Sequence, residues 1–284
     1  MPTLRVRDDL GRDVVVSRPP RRIVSLVPSD TFSLFALGCG DRVVGRTRYC
    51  THPAAVAAIP EVGGTKDVDV EAVLALEPDL VIANQEENTR ALLEALAART
   101  KILVSMPRRL ADGLAHLARL ARVLGVEREP AVRALIRRGH ALGAAPSPAP
   151  HATAFIPIWM EPLMTLNADT FGSDVLARIG IANAFGDRLR IYPLAADLGK
   201  QAAADAAGRD TRYPRITTDE IVARAPTMII LPDEPYAFNA ADRAALAALP
   251  TPGASRIIDV SGKDLFWSGA WSLDALPRLA AQLA

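Results

Sequence analysis

Cys50 and His52 stand one residue apart in "TRYCTHP", directly after Tyr49. A thiolate and an imidazole suit a soft or borderline metal, including one that keeps an open axial position. Two donors are too few for a closed structural site. The other histidines, His116, His140 and His151, fall in helical or linker segments. Cys50 and His52 are therefore the metal candidates, the alternative being two loop residues that bind none. Aromatic residues are only 5% of the chain, so each one counts. Trp159 in "IPIWMEP", and Trp267 and Trp271 in "LFWSGAW", lie just past apolar, strand-like runs. Flat rings there suit a large planar guest, with ordinary packing as the alternative. No nucleophile with a base, no dinucleotide fingerprint and no H-E-x-x-H is present, so no catalytic residue is assigned.

The elements that must position these side chains are legible in the apolar pattern. "RRIVSLVPSDTFSLFALG", Arg21 to Gly38, is a buried strand that stops at a proline and turns into a helix. The segment "EAVLALEPDLVIANQEEN" from Glu71 echoes "DEIVARAPTMIILPDEPY" from Asp219, with Pro78 and Pro226 superposed at an offset of 148 residues. Each copy is a short amphipathic helix, a proline that stops it, and a wholly apolar strand ending in an acidic loop. Uninterrupted apolar strands alternating with helices predict parallel sheet covered on both faces. Between the copies, Leu110 to Gly143 predicts two helices broken near Gly125, followed by the linker "AAPSPAPHA". The fold class is α/β: two similar lobes, each a mostly parallel sheet flanked by helices, joined by a single long backbone helix. The expected boundaries are residues 1–125 for the first lobe with its N-terminal β segment, 126–144 for the linking helix and 145–284 for the second lobe. In open α/β sheets the ligand lies at the carboxyl ends of the strands; two such lobes would share a cleft.

The bulk properties narrow the partners. A net charge of +1 over 284 residues argues against nucleic acid, which usually selects a basic excess. Half of the residues are hydrophobic, enough for a sizeable core, and no apolar run approaches a membrane helix. Cys39 and Cys50 do not make a disulfide framework and read as two thiols, with a bridge as the alternative. The chain begins without an export signal, so it is expected in the cytoplasm as written, or in the periplasm or on a membrane anchor if a leader has been removed.

The ordered set "DDLGRDVVVSRPPRRIVSLVPSDT", "ALGCGDRVVGRTRYCTHP", "VGGTKDVDVEAVLALEPDLVIANQEEN", "YPRITTDEIVARAP", "LPDEPYAF" and "DLFWSGAW" covers nearly the whole chain. It resembles the helical-backbone (class III) substrate-binding proteins of ABC importers, the receptors for vitamin B12 and iron–siderophore complexes. The resemblance implies a monomer that holds a cobalt corrinoid or a ferric chelate as its ligand, with no intrinsic cofactor, and an ABC permease as partner. It places Tyr49 and Tyr213 at aromatic cleft positions and puts Asn84 where the vitamin B12 receptors carry a tryptophan. It implies that Ser29 caps the helix after the first strand and faces the ligand, and it makes Trp159 and Trp267 further ligand contacts. Arg46, Arg48, Arg212 and Arg215 would suit an anionic chelate. The family carries one docking acid on each lobe. Asp219 matches the second; Arg90 stands at the first, leaving Glu86 and Glu87 as substitutes. Phe32 replaces a family glutamate. An intracellular carrier or sensor with the same fold, and a chelatase-like enzyme, are the alternatives.

Overall fold

Strands β3 (Ile23–Ser25), β4 (Val43–Arg46), β5 (Leu80–Asn84) and β6 (Ile102–Ser105) follow a short hairpin of β1 (Leu4–Arg7) and β2 (Asp13–Val16) in the computed structural model, which describes residues 3–284. The four form a parallel sheet in the order β4-β3-β5-β6. Successive residues point to opposite faces, so apolar residues at both parities demand cover on both sides. Ile23, Leu80, Ile82 and Leu103 enter one core with Leu117, Leu120 and Leu124 of α4 (Leu110–Leu124). Val24, Val81, Ala83 and Val104 enter the other with Leu92, Leu93 and Leu96 of α3 (Arg90–Ala97). Each such Val, Leu or Ile side chain contributes about 1.5–3 kcal/mol by leaving water. Helices α1 (Pro28–Ala36) and α2 (Val70–Ala75) complete the set. The predicted break near Gly125 is a left-handed helix end, φ 71°, and α5 (Pro130–Ala144) follows. Glycine adopts that conformation without the Cβ penalty.

The second sheet is built from β7 (Ala152–Phe155), β10 (Ile181–Asn183), β11 (Met228–Pro232) and β12 (Ile257–Val260), also parallel, in the order β10-β7-β11-β12. Between β7 and β10 lie the short antiparallel pair β8 (Trp159–Met160) and β9 (Leu163–Met164) and helix α6 (Phe171–Arg178). Helices α7 (Leu194–Asp197), α8 (Thr218–Arg224), α9 (Ala240–Ala247), α10 (Gly262–Phe266) and α11 (Ser272–Leu283) follow in chain order. Phe155, Phe185, Ile229 and Leu231 sit in its core.

Both sheets use the same strand order, and the sequence echo maps onto it. Strands β5 and β11 start at Leu80 and Met228, and helices α2 and α8 at Val70 and Thr218, each pair 148 residues apart. Both helices carry a side-chain cap at equivalent positions, Asp69 accepting from the Ala72 amide and Thr217 from the Glu220 amide. Both also end on an L-residue at φ 46°, Glu77 and Ala225, just before the superposed prolines. A left-handed L-residue costs about 1–2 kcal/mol, and the copies retain the same local strain.

The chain divides into two compact units, residues 1–144 with Trp267–Leu273, and residues 145–266 with Asp274–Ala284. Helix α5 therefore clusters with the first unit, and so does the stretch that carries Trp267 and Trp271. Among the described residues, no helix is long and apolar enough to cross a membrane.

Candidate functional site

The carboxyl edge of the first sheet gathers most of the first unit's chemistry. Tyr49 lies three residues past β4 and is 54% exposed. The Arg48 guanidinium sits 6.0 Å from its ring centroid and pairs with Asp67 at 3.0 Å. His52 turns its ring edge-to-face toward Trp267 and Trp271, at 5.9 and 5.4 Å, and its Nδ1 lies 3.0 Å from the Thr51 hydroxyl. Phe32 meets Trp271 at 4.9 Å. The residue that departs from the family's acid thus joins an aromatic cluster of Phe32, His52, Trp267 and Trp271. Trp267 is 7% exposed, and its ring contacts with His52 and Trp271 lie within the first unit.

Cys50 does something different from its neighbour. It is 1% exposed, and its sulfur lies 3.1 Å from the Thr31 hydroxyl and 3.2 Å from that of Thr47. Burial pushes its thiol above the ordinary value, which the hydrogen bonds from the two threonines oppose only in part. The sulfur is thus turned into the core, held between two hydroxyls, while His52 is half-buried beside it in the loop. No group of three or more His, Cys, Asp or Glu able to hold an ion occurs among the described residues. Cys39 and Cys50 are both free thiols.

Two further expectations are corrected. Ser29 does not cap α1: Pro28 takes the first helical position, which moves the cap to Val27 and leaves Ser29 inside the first turn, 8% exposed. Arg46 does not stand exposed beside the edge: it is 7% exposed, with Nε donating to the Val56 carbonyl and Nη1 2.9 Å from Glu61.

Asn84 is 7% exposed and is occupied by its own loop. Its Oδ1 accepts from the Glu86 amide at 2.7 Å and the Glu87 amide at 3.4 Å, and its Nδ2 donates to the Ser105 hydroxyl at 3.3 Å. Asn88 Oδ1 accepts from the Asn84 amide, while Asn88 Nδ2 donates to the Thr65 carbonyl. Glu86 and Glu87 are half-buried in that loop. Ser105 lies 3.5 Å from Asp30, which lies 3.2 Å from His116, and both members of that pair are 2% exposed at the side chain. A buried polar chain thus runs below the edge.

The second unit presents an aromatic ladder that only one of its members announces in the sequence. Trp159, four residues past β7, is 42% exposed and packs at 5.0 Å against Tyr236. Tyr236, four residues past β11, meets Phe238 at 4.9 Å. Tyr236 and Phe238 lie in the quoted "LPDEPYAF", and their position just past the echo strand was the available signal. Tyr213 is half-buried, with the Arg212 guanidinium 5.4 Å from its ring centroid. Arg212 itself is held by Asp210 at 2.6 Å. Asp219 is exposed in the first turn of α8.

Two parallel sheets of one topology, with aromatic rings just past the carboxyl ends of their strands, define an α/β protein of two equivalent units. The chain belongs to the periplasmic binding protein family, whose model matches residues 23–251. An ABC transporter substrate-binding lipoprotein of Bacillus subtilis, YvrC, is 44% identical over 80 residues, 28% of this chain and 25% of that protein. The solved vitamin B12-binding protein BtuF of Vibrio cholerae superposes with a TM-score of 0.71 at 22% identity, over 93% of this chain and 97% of that one. The haem-binding protein RhuT from Roseiflexus sp. RS-1 does so with a TM-score of 0.70 at 21% identity, covering 92% and 97%. The family and these neighbours are binding proteins rather than enzymes.

Proposed function

We propose that this chain is the receptor of an ABC importer and holds one bulky metal chelate, a cobalt corrinoid or a ferric chelate, handing it to a membrane permease. The observation that carries this reading is the placement of aromatic rings, the exposed Tyr49 on one unit and the exposed Trp159 with the half-buried Tyr236 on the other, just past strands of two equivalent sheets. Rings at such edges offer flat apolar area with a polar tip, which suits the face and rim of a macrocycle or the aromatic arms of a chelator. Vitamin B12 and haem, the ligands of the fold's neighbours, belong to that class. Of the two metal candidates, Cys50 is buried against Thr31 and Thr47 while His52 is half-buried. If an axial donor is supplied, His52 is the side chain that remains. Glu86, Glu87 and Asp219 are the acids offered to a permease.

Titration with cobalamin, cobinamide, haem and ferric hydroxamates, followed by tryptophan fluorescence, tests the reading. Quenching by at least one member is expected, weakened at least tenfold in the Trp159→Ala, Tyr236→Ala double variant. Silence across the panel removes the ligand class.

A further inference from the structure

The connection from β10 to α8, residues 184–217, carries more positive charge than it neutralises. Arg188 bridges Asp197 and Glu220, at 3.0 Å to each, and Arg212 pairs with Asp210. Arg190, Arg209 and Arg215 have no carboxylate within ion-pair distance among the described residues. They are nevertheless held together. The ring of Tyr192 contacts two guanidinium groups, Arg209 at 3.9 Å and Arg190 at 4.4 Å from its centroid, and the Tyr192 hydroxyl donates to the Asp210 carbonyl at 2.6 Å. Cation–π contact fixes both guanidinium planes without neutralising either.

Arg215 closes the cluster. Burial lowers its affinity for the proton, and the like charge of Arg190 lowers it further, against the pull of Asp197 and Tyr192. Asp197 is already spent: its Oδ1 accepts from Arg188 and from the Ile191 amide, and its Oδ2 from the Arg215 amide. The Nε atoms of Arg190 and Arg215 are both buried with no hydrogen-bond partner. A buried guanidinium N–H without an acceptor, next to a second cation, is costly in any folded protein. An oxyanion accepting from both forks would satisfy the two donors and cancel the repulsion together.

We propose that this connection forms an oxyanion-binding site for a polycarboxylate or phosphate group, gripped by Arg190 and Arg215 with Arg209 and Tyr192 as its wall. The site belongs wholly to the second unit and does not depend on the chelate reading. Its anion comes either free or as the acidic arm of a metal chelate.

Thermal unfolding and isothermal titration with sodium citrate and inorganic phosphate, at constant ionic strength, test it. Citrate in large excess over its Kd is expected to raise Tm by about 3 °C or more. The Arg190→Gln, Arg215→Gln double variant loses that rise and, with two repelling cations gone, unfolds in anion-free buffer no earlier than the wild type. Arg190→Lys keeps the charge but loses the planar fork, and binds citrate about tenfold more weakly. Ferric citrate binding more tightly than citrate, with the same arginine dependence, identifies a chelate arm; equal binding identifies a free anion. The proposal is overturned if the double variant keeps the citrate shift, if sodium chloride at matched ionic strength reproduces it, or if the double variant unfolds earlier in the absence of anion. The panel of cobalamin, cobinamide, haem and ferric hydroxamates reads the chelate site separately: silence across it with citrate binding intact fails the chelate reading alone.

Discussion

The loops after β4 and after β10 occupy equivalent places in two sheets of one topology, yet they solve different electrostatic problems. In the first, Arg46 is folded inward onto the Val56 carbonyl and Glu61, and Arg48 is matched by Asp67. What remains at that edge is a neutral aromatic surface. In the second, Arg190, Arg209 and Arg215 gather around Tyr192 without carboxylate partners among the described residues. A duplicated scaffold keeps its core because every buried strand residue is constrained by neighbours on both faces. Its loops face fewer constraints and are free to acquire separate chemistry.

The sharpest way to break this comparison is through the shared core. Ile82 and Ile230 are superposed by the offset of 148 and are both fully buried. Ile82→Ala and Ile230→Ala are each expected to cost about 2–5 kcal/mol in urea unfolding. A difference of several kcal/mol between them would mean that the two cores are not equivalent in packing.

Alkaline unfolding tests the asymmetry, because both cysteines lie in the first unit. Burial raises both folded-state thiol pKa values above 9.0. The unfolded thiols ionise first, so their contribution is fully present below about pH 9 and is lost as pH rises through the folded values. The slope reaches at most about 1.4 kcal/mol per pH unit for each thiol. Cys39→Ala with Cys50→Ser is expected to flatten it; an unchanged slope would assign the effect to other groups.

The smallest effect concerns the matched helix starts. Asp69→Ala and Thr217→Ala each remove the acceptor of one free helix amide and are expected to cost about 1 kcal/mol. Thr217 also has Glu220 returning a bond to its amide at 3.1 Å, so the reciprocal box persists in part after substitution. The threonine variant therefore loses the less of the two.

The fold was legible because wholly apolar strands at a fixed offset leave few arrangements. The Gly125 break and the helix from Pro130 were readable for the same reason, as local signals of turn and helix start. At the candidate site, what was legible was exposure that follows from position, as for Tyr49 and Trp159. The role of Asn84 in its own turn was not readable, since bonds from its side chain to nearby backbone amides and to Ser105 leave no mark in the apolar pattern. Cys50 looked like half of a donor pair, but the hydroxyls that hold its sulfur come from Thr31 and Thr47, and the first of these lies 19 residues away in sequence. Trp267 follows a strand of the second sheet in sequence, yet it packs with the first unit. Which arginine meets which acid is a tertiary fact, so Arg190 and Arg209 were missed while Arg46 was assigned to a ligand.

The turn braced by Asn84 and Asn88 has a further consequence. Its amides at Asn84, Glu86 and Glu87 donate to side chains that are themselves buried. Deuterium should therefore enter them about as slowly as it enters the sheet, unlike an ordinary surface bend. Any macromolecule that reads Glu86 or Glu87 meets carboxylates on a frame already immobilised during folding, and little ordering of that backbone is left to oppose association.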